Sequence, residues 1–143
     1  MKKSLILFLS FALYSITMQA QLSQHQWKDR IILIFSESPE DRLMIQQLAQ
    51  LEEDSEGLKD RDLVIYKIYK ESGIDPAGKL LNPAMVEQLR SVYEVSGDSF
   101  SVVLIGKDGG KKLRKTNILL SQEILYQTID AMPMRRAEMG RKN

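Results

Sequence analysis

Phe100-Ser-Val-Val-Leu-Ile105, Gly106-Lys-Asp-Gly-Gly110 and Lys111-Lys-Leu-Arg-Lys115 form one continuous stretch, and its reading decides the fold. The first segment is an apolar run, broken only by Ser101, that suits a buried strand. The second carries the Asp108-Gly109 hairpin signal, because glycine supplies the positive φ that such turns require. The third is a short lysine-rich strand, the composition by which a sheet edge avoids pairing with other chains. A β-hairpin near the end of a chain of 143 residues therefore anchors everything around it.

Beyond the hairpin, Ser121 reads as the N-cap of a helix whose buried side is Ile124, Leu125, Ile129 and Met132. Pro133 is read as its stop, and residues 137–143 as a loose basic tail. Before the hairpin, Asn82 and Pro83 open a helix with Met85, Leu89, Val92 and Tyr93 as its buried stripe. Residues 70–81 form a loop rich in turn formers. Leu63–Tyr69 is a strand. Ser38 is read as the cap of a first helix, with Pro39 at its first position and Asp41 completing a short capping box. Met44, Ile45, Leu48 and Leu51 share one face of it, and Gly57 ends it. Ile31–Phe35 is an apolar run fit for a central strand.

The order is β-α-β-α-β-β-α. A parallel βαβ unit has a right-handed crossover. A terminal hairpin and helix complete a thioredoxin-like α/β fold. The expected sheet is mixed and four-stranded, in the order 2-1-3-4, with helices on both faces. The first and third helices cover one face and the second helix the other.

The N-terminus carries the pattern of a secretory leader. Lys2 and Lys3 form the charged region, Leu5 to Tyr14 the apolar region, and Ala20 the small residue before cleavage. The apolar stretch is shorter than a membrane span and holds Ser10, Ser15, Thr17 and Gln19. The expected organisation is a cleaved leader over residues 1–20, a domain over 21–136 and the basic tail. The expected location is exported, periplasmic or secreted, with no stable membrane insertion after cleavage.

Formal net charge is +1, from 20 basic and 19 acidic side chains, so nucleic acid is not an expected partner. The charge is segregated, however. Residues 36–62 hold nine acids and three bases, whereas residues 107–143 hold nine bases and four acids. The plainer reading is mutual neutralisation inside the fold, and the sharper one is two partner-facing patches. There is no cysteine. That excludes disulfide staples, thiol redox enzymes, zinc thiolates and cysteine nucleophiles.

These residues resemble a known family. His25-Gln-Trp-Lys-Asp-Arg30, Leu89-Arg90, Tyr93, the hairpin, Ile129-Asp130 and Met132-Pro-Met-Arg-Arg136 with Glu138-Met139 are similar to a peroxiredoxin-like domain. That domain is found in sushi-repeat-containing extracellular proteins and in an extracellular coiled-coil-domain tumour-suppressor protein. Its bacterial single-domain versions form a domain of unknown function. The resemblance implies a thioredoxin-like fold over nearly all of the chain after the leader. In peroxiredoxins the reactive cysteine stands where the first strand meets the first helix. Here that place is Ser36-Glu-Ser-Pro-Glu-Asp41, and Asp98-Ser99 replaces the proline usual before the third strand. Inherited peroxide or disulfide chemistry is therefore not expected.

Two candidate binding groups follow. Ser36, Glu37, Ser38 and Asp41 lie at a helix N-terminus, where free amides and a positive dipole end suit an anion or a partner's backbone. Capping alone also explains these residue types. Arg114, Arg135 and Arg136 would form a basic patch, unless Arg114 pairs with an acid of the first helix. His25 is the single histidine, and its spacing from Ser36 gives no support to a nucleophile–base pair. No catalytic residue, cofactor or metal ligand is assigned. The expected role is a non-catalytic interaction module for an envelope or extracellular protein. The alternative is an enzyme with cysteine-free chemistry at the first strand–helix junction.

Overall fold

The computed structural model describes residues 22–142. The leader reading falls on residues 1–20, outside the described residues. Five strands build one mixed sheet: β1 (Arg30–Phe35), β2 (Leu63–Ile68), β3 (Gly73–Ile74), β4 (Ser101–Ile105) and β5 (Lys111–Thr116), in the order β3-β2-β1-β4-β5. The expected four-strand order is present within it. The fifth strand is a two-residue addition that pairs Lys67 with Ile74 and Ile68 with Gly73. β1 runs parallel to β2 and antiparallel to β4, and β4 and β5 form the hairpin.

β1 is buried along its whole length, and β4 likewise. Alternate side chains therefore feed two cores. Ile31, Leu33, Phe35, Tyr66, Ile68, Val103 and Ile105 pack against Met85, Val86 and Leu89 of α3 (Pro83–Val92). Ile32, Ile34, Val102 and Leu104 pack on the other face against three helices. These are α1 (Arg42–Glu52), α2 (Ser55–Asp60) and α4 (Gln122–Asp130). The expected distribution of helices over the two faces holds. Each fully buried leucine or isoleucine contributes roughly 1.5–3 kcal/mol of transfer free energy.

Several local readings need correction. Asp41, not Ser38, caps α1: its Oδ1 accepts from Leu43 N at 2.8 Å and Met44 N at 3.1 Å. Ser38 instead closes the preceding turn, accepting from Glu40 N through its hydroxyl and from Asp41 N through its carbonyl. The buried face of α1 is Met44, Gln47 and Leu51, while Ile45 is exposed. Gln47 can turn inward because its amide exchanges two hydrogen bonds with the Leu120 backbone, at 3.0 and 2.8 Å. Val92 and Ile124 likewise stand exposed rather than in the core.

Gly57 does not end α1. It sits inside α2, where Asp54 caps the helix by accepting from Gly57 N at 2.9 Å. A Cβ on Gly57 would lie 2.1 Å from Asp54 Oδ2 and 2.5 Å from the Tyr126 hydroxyl, so a larger residue would displace the capping carboxylate and the phenol. Pro133 ends α4 but also opens α5 (Pro133–Arg141), since proline suits the first helical position. Residues 137–141 are therefore helical rather than a loose tail. Among the described residues no helix is long and apolar enough to cross a membrane.

Candidate functional site

The first strand–helix junction is folded onto itself. Ser36 is fully buried and its Oγ donates to the Ser38 carbonyl at 2.9 Å. The Ser36 carbonyl accepts from Arg90 Nη2. Arg90, almost wholly buried, also donates from Nε to the Tyr69 carbonyl at 2.9 Å and from Nη1 to the Ser96 carbonyl at 2.7 Å. One guanidinium thus ties the ends of β1 and β2 to the segment entering β4. Burial away from water lowers its pKa below the ordinary arginine value. At the surface of this junction stand Glu37, Glu40 and the capping carboxylate of Asp41. An anion approaching the helix end would meet three carboxylates. Ser36 has no base among its partners, and His25 lies in a different network.

The basic residues do not assemble into a patch either. Arg114 pairs with no acid of α1. Its Nη1 donates to the Tyr93 carbonyl at 2.6 Å and its Nη2 to the Glu94 carbonyl at 3.3 Å. Arg135 is buried and ion-paired with Asp60 and Asp130. Only Arg136 of the three stands exposed with a side chain that has no partner among the described residues. Ser36, Arg114 and Arg135 are committed to the protein's own groups and lie apart.

The acidic and basic halves of the sequence meet around α5. Glu138 accepts from Arg30 at 3.2 Å and pairs with Lys107 at 2.8 Å, and Lys107 also reaches Asp62 at 2.7 Å. Asp130 pairs with Arg61 at 2.7 Å, and Lys142 pairs with Asp60. Burial works to raise the Glu138 carboxyl, but the Lys107 and Arg30 hydrogen bonds outweigh it and hold it low. Asp60, bonded by Lys142 and Arg135, is lowered to about 2. The neutralisation reading of the segregated charge is the one the fold realises.

An open site lies elsewhere. A cleft of about 530 Å³ opens between the N-terminal turn, α3 and the β4–β5 hairpin. Its walls include His25, Gln26, Asp29, Gln88, Tyr93 and Asp108, with Ile31 and Ile105 at the sheet. The turn is docked by Trp27 N donating to the Lys107 carbonyl at 2.7 Å. Trp27 adopts φ 66° and leaves its indole 62% exposed. A non-glycine residue held in that region costs on the order of 1 kcal/mol, so the turn's geometry is imposed by its contacts. On the hairpin side, Gly109 at φ 83° supplies the turn that brings the loop beside Gln26.

His25 is the centre of the cleft's polar chemistry. Its Nδ1 lies 2.7 Å from Asp29 Oδ2 and its Nε2 lies 2.9 Å from the Tyr66 hydroxyl. With Nδ1–H donating to the carboxylate, Nε2 accepts from the phenol. Tyr66 is fully buried, and burial raises its pKa, so it stays a neutral donor. Tyr93 is raised for the same reason. The cluster was not visible in the sequence as a site. His25 and Asp29 share an ordinary i,i+4 spacing in a polar lead-in, and Tyr66 is 41 residues away. The only available signal was a lone histidine four residues before an acid. Among the described residues no group of three or more acids and histidines is placed to hold a metal ion.

Comparison with known proteins agrees with this architecture. A family model described as domain of unknown function (DUF4174) matches residues 21–138. The chain is 28% identical over 134 residues to coiled-coil domain-containing protein 80 of Danio rerio, covering 83% of this chain and 16% of that protein. It is 30% identical over 129 residues to sushi repeat-containing protein SRPX of Rattus norvegicus, covering 86% of this chain and 27% of that protein. The chain thus spans a small part of these relatives. Among solved structures, the reduced 2-Cys peroxiredoxin of Plasmodium vivax superposes with a TM-score of 0.63 at 17% identity, over 81% of this chain and 84% of that one. That likeness speaks to the fold, which is thioredoxin-like. With a family match spanning nearly all of the described residues, the chain belongs to the DUF4174 family.

Proposed function

We propose that the chain is an exported thioredoxin-fold module that binds a component of the envelope or the extracellular space without thiol redox chemistry. The leader pattern at residues 1–20 supports export, and the absence of cysteine removes thiol chemistry. One observation carries the binding reading. At the strand–helix junction the side chains of Ser36, Ser38 and Asp41 are spent on their own backbone, whereas the cleft beside His25 keeps polar groups unspent within a concave wall. The Gln88 side chain has no hydrogen bond among the described residues, and one oxygen of Asp29 has no donor there. A concave site of this size with a few convergent polar groups is the usual form of a binding pocket.

An enzymatic reading at Ser36–Asp41 has less support, because Ser36 is inaccessible and lacks a base. The test is capture from envelope and secreted fractions with the native protein, a Gln88→Trp variant that fills the cleft, and an Arg136→Glu variant. The expected outcome is a partner retained by Arg136→Glu and lost by Gln88→Trp. A partner lost by Arg136→Glu and kept by Gln88→Trp would move the binding surface to the exposed basic side of α5.

A further inference from the structure

The charges around the cleft are one-sided. Among the described residues its lining contains Asp29 and Asp108 but no lysine or arginine. The two carboxylates are not equivalent. Asp108 is satisfied: Lys112 Nζ lies 2.6 Å from Oδ2, and Gly110 N donates to Oδ1 at 3.0 Å. The Lys112 hydrogen bond holds its carboxyl below the usual range. Asp29 is different. One oxygen accepts from His25 Nδ1 at 2.7 Å, and the other has no donor among the described residues. Its side chain is 32% exposed, so it is reachable from the cleft yet partly shielded from water. Around it the wall offers the amide oxygens of Gln26 and Gln88 and the ring of Tyr93.

On these grounds we propose that the cleft takes a small organic cation whose ammonium group is received by the free oxygen of Asp29. This rests on the reading of the cleft as the binding surface and names the chemistry of what it holds. An ammonium supplies several donors to a site whose unspent groups are mostly acceptors. Its bond to a carboxylate is charge-assisted and roughly twice as strong as a neutral one. Partial burial lowers the effective dielectric and strengthens the pair. The neutral Tyr93 ring adds a cation–π contribution where the cation's apolar stem meets the wall. His25 positions Asp29 by fixing one of its oxygens, so the other is presented in a set direction. An anionic ligand finds no cation among the described lining residues to receive it, and it would face the Asp29 carboxylate.

The test is a titration of the ¹⁵N-labelled protein, followed by amide shifts, with three probes of one shape: benzylamine, benzyl alcohol and benzoate. Benzylamine is expected to move the amides of Asp29, Gln88 and Gly109. Its dissociation constant should lie about tenfold or more below that of benzyl alcohol. Asp29→Asn should bring benzylamine to the level of the alcohol. Gln88→Lys, a surface change on a helix that leaves the Asp29–His25 pair alone, should do the same if Asp29→Asn disturbs the turn. Equal binding of all three probes in the cleft would overturn the ammonium assignment while leaving the cleft as a binding surface. Tighter binding of the alcohol, as a polyol site would show, or of benzoate would overturn it too. So would an absence of cleft shifts with benzylamine, whereas the cleft itself falls only if Gln88→Trp leaves partner capture intact.

Discussion

Arg90 carries a positive charge into the core and is received by carbonyl oxygens alone, those of Ser36, Ile68, Tyr69 and Ser96. Its role is to stitch the three segments where a thiol site would stand in a related fold. Replacement by methionine, which keeps much of the volume, strips the Ser36 and Tyr69 carbonyls of their donor, while Ile68 and Ser96 keep backbone donors in Ser36 N and Ser99 N. Arg90→Met is therefore expected to lose roughly 2–4 kcal/mol in urea unfolding, the cost of two buried unsatisfied carbonyls. An unchanged midpoint would show that water or relaxation replaces the guanidinium. Tyr66→Phe should be milder. His25 borders the open cleft and can be solvated there, so the expected loss is about 1 kcal/mol in the same measurement. At this scale the sequence was least legible. Nothing in the local spacing of Arg90 or Gln47, polar residues within helices, marks either as core. Both are buried because of backbone partners far along the chain, which no local pattern records.

α5 exists as an element because its ion pairs hold it. Its helical sequence is strongly polar, and the side chain it buries is Arg135. Glu138 is the keystone, since Arg30 and Lys107 both converge on it from strand and hairpin. Glu138→Gln should cost about 2–4 kcal/mol in thermal or urea unfolding, because buried Arg30 loses its counter-charge and Lys107 keeps only Asp62. Acid should act on the same element. Asp60, Asp130 and Glu138 all have lowered pKa values when folded. Their ionised forms stabilise the native state above the unfolded carboxylate value, and that stabilisation fades as pH falls through the folded values. For Asp60 the window runs from about 4 down to about 2. In an acid titration followed by NMR, the amides of α5 should reach coil positions before those of β1 and β4. Simultaneous loss of all three would contradict this. Elements defined by apolar runs, such as β1 and β4, are legible from sequence because burial on both faces leaves a polar residue only at their first positions, Arg30 and Ser101. β3 was not, since two residues have no period. α5 was missed because Pro133 is compatible with both an end and a beginning.

On the scale of the whole molecule, the chain keeps the thioredoxin-like frame and closes the place where that frame does redox work. The opposed charges of its two halves are turned inward to fasten the C-terminal helix beside the start of β1, the end of β4 and the turn before β2. That leaves the cleft between the N-terminal turn, α3 and the hairpin as the concave surface with polar groups to spare. The order of strands and the division of helices between two faces were readable beforehand, because they follow from apolar patterning and chain connectivity. The cleft was not, because it is made by three segments that touch only after folding. Exposed Val92 stands at its rim, and exposed Glu37 stands at the closed junction. The most direct test places a photo-reactive phenylalanine analogue at each of these positions in turn, in the protein expressed by living cells. Adducts from position 92 and none from position 37 are the predicted result. Adducts from position 37 with none from position 92 would contradict the account and return the binding surface to the strand–helix junction.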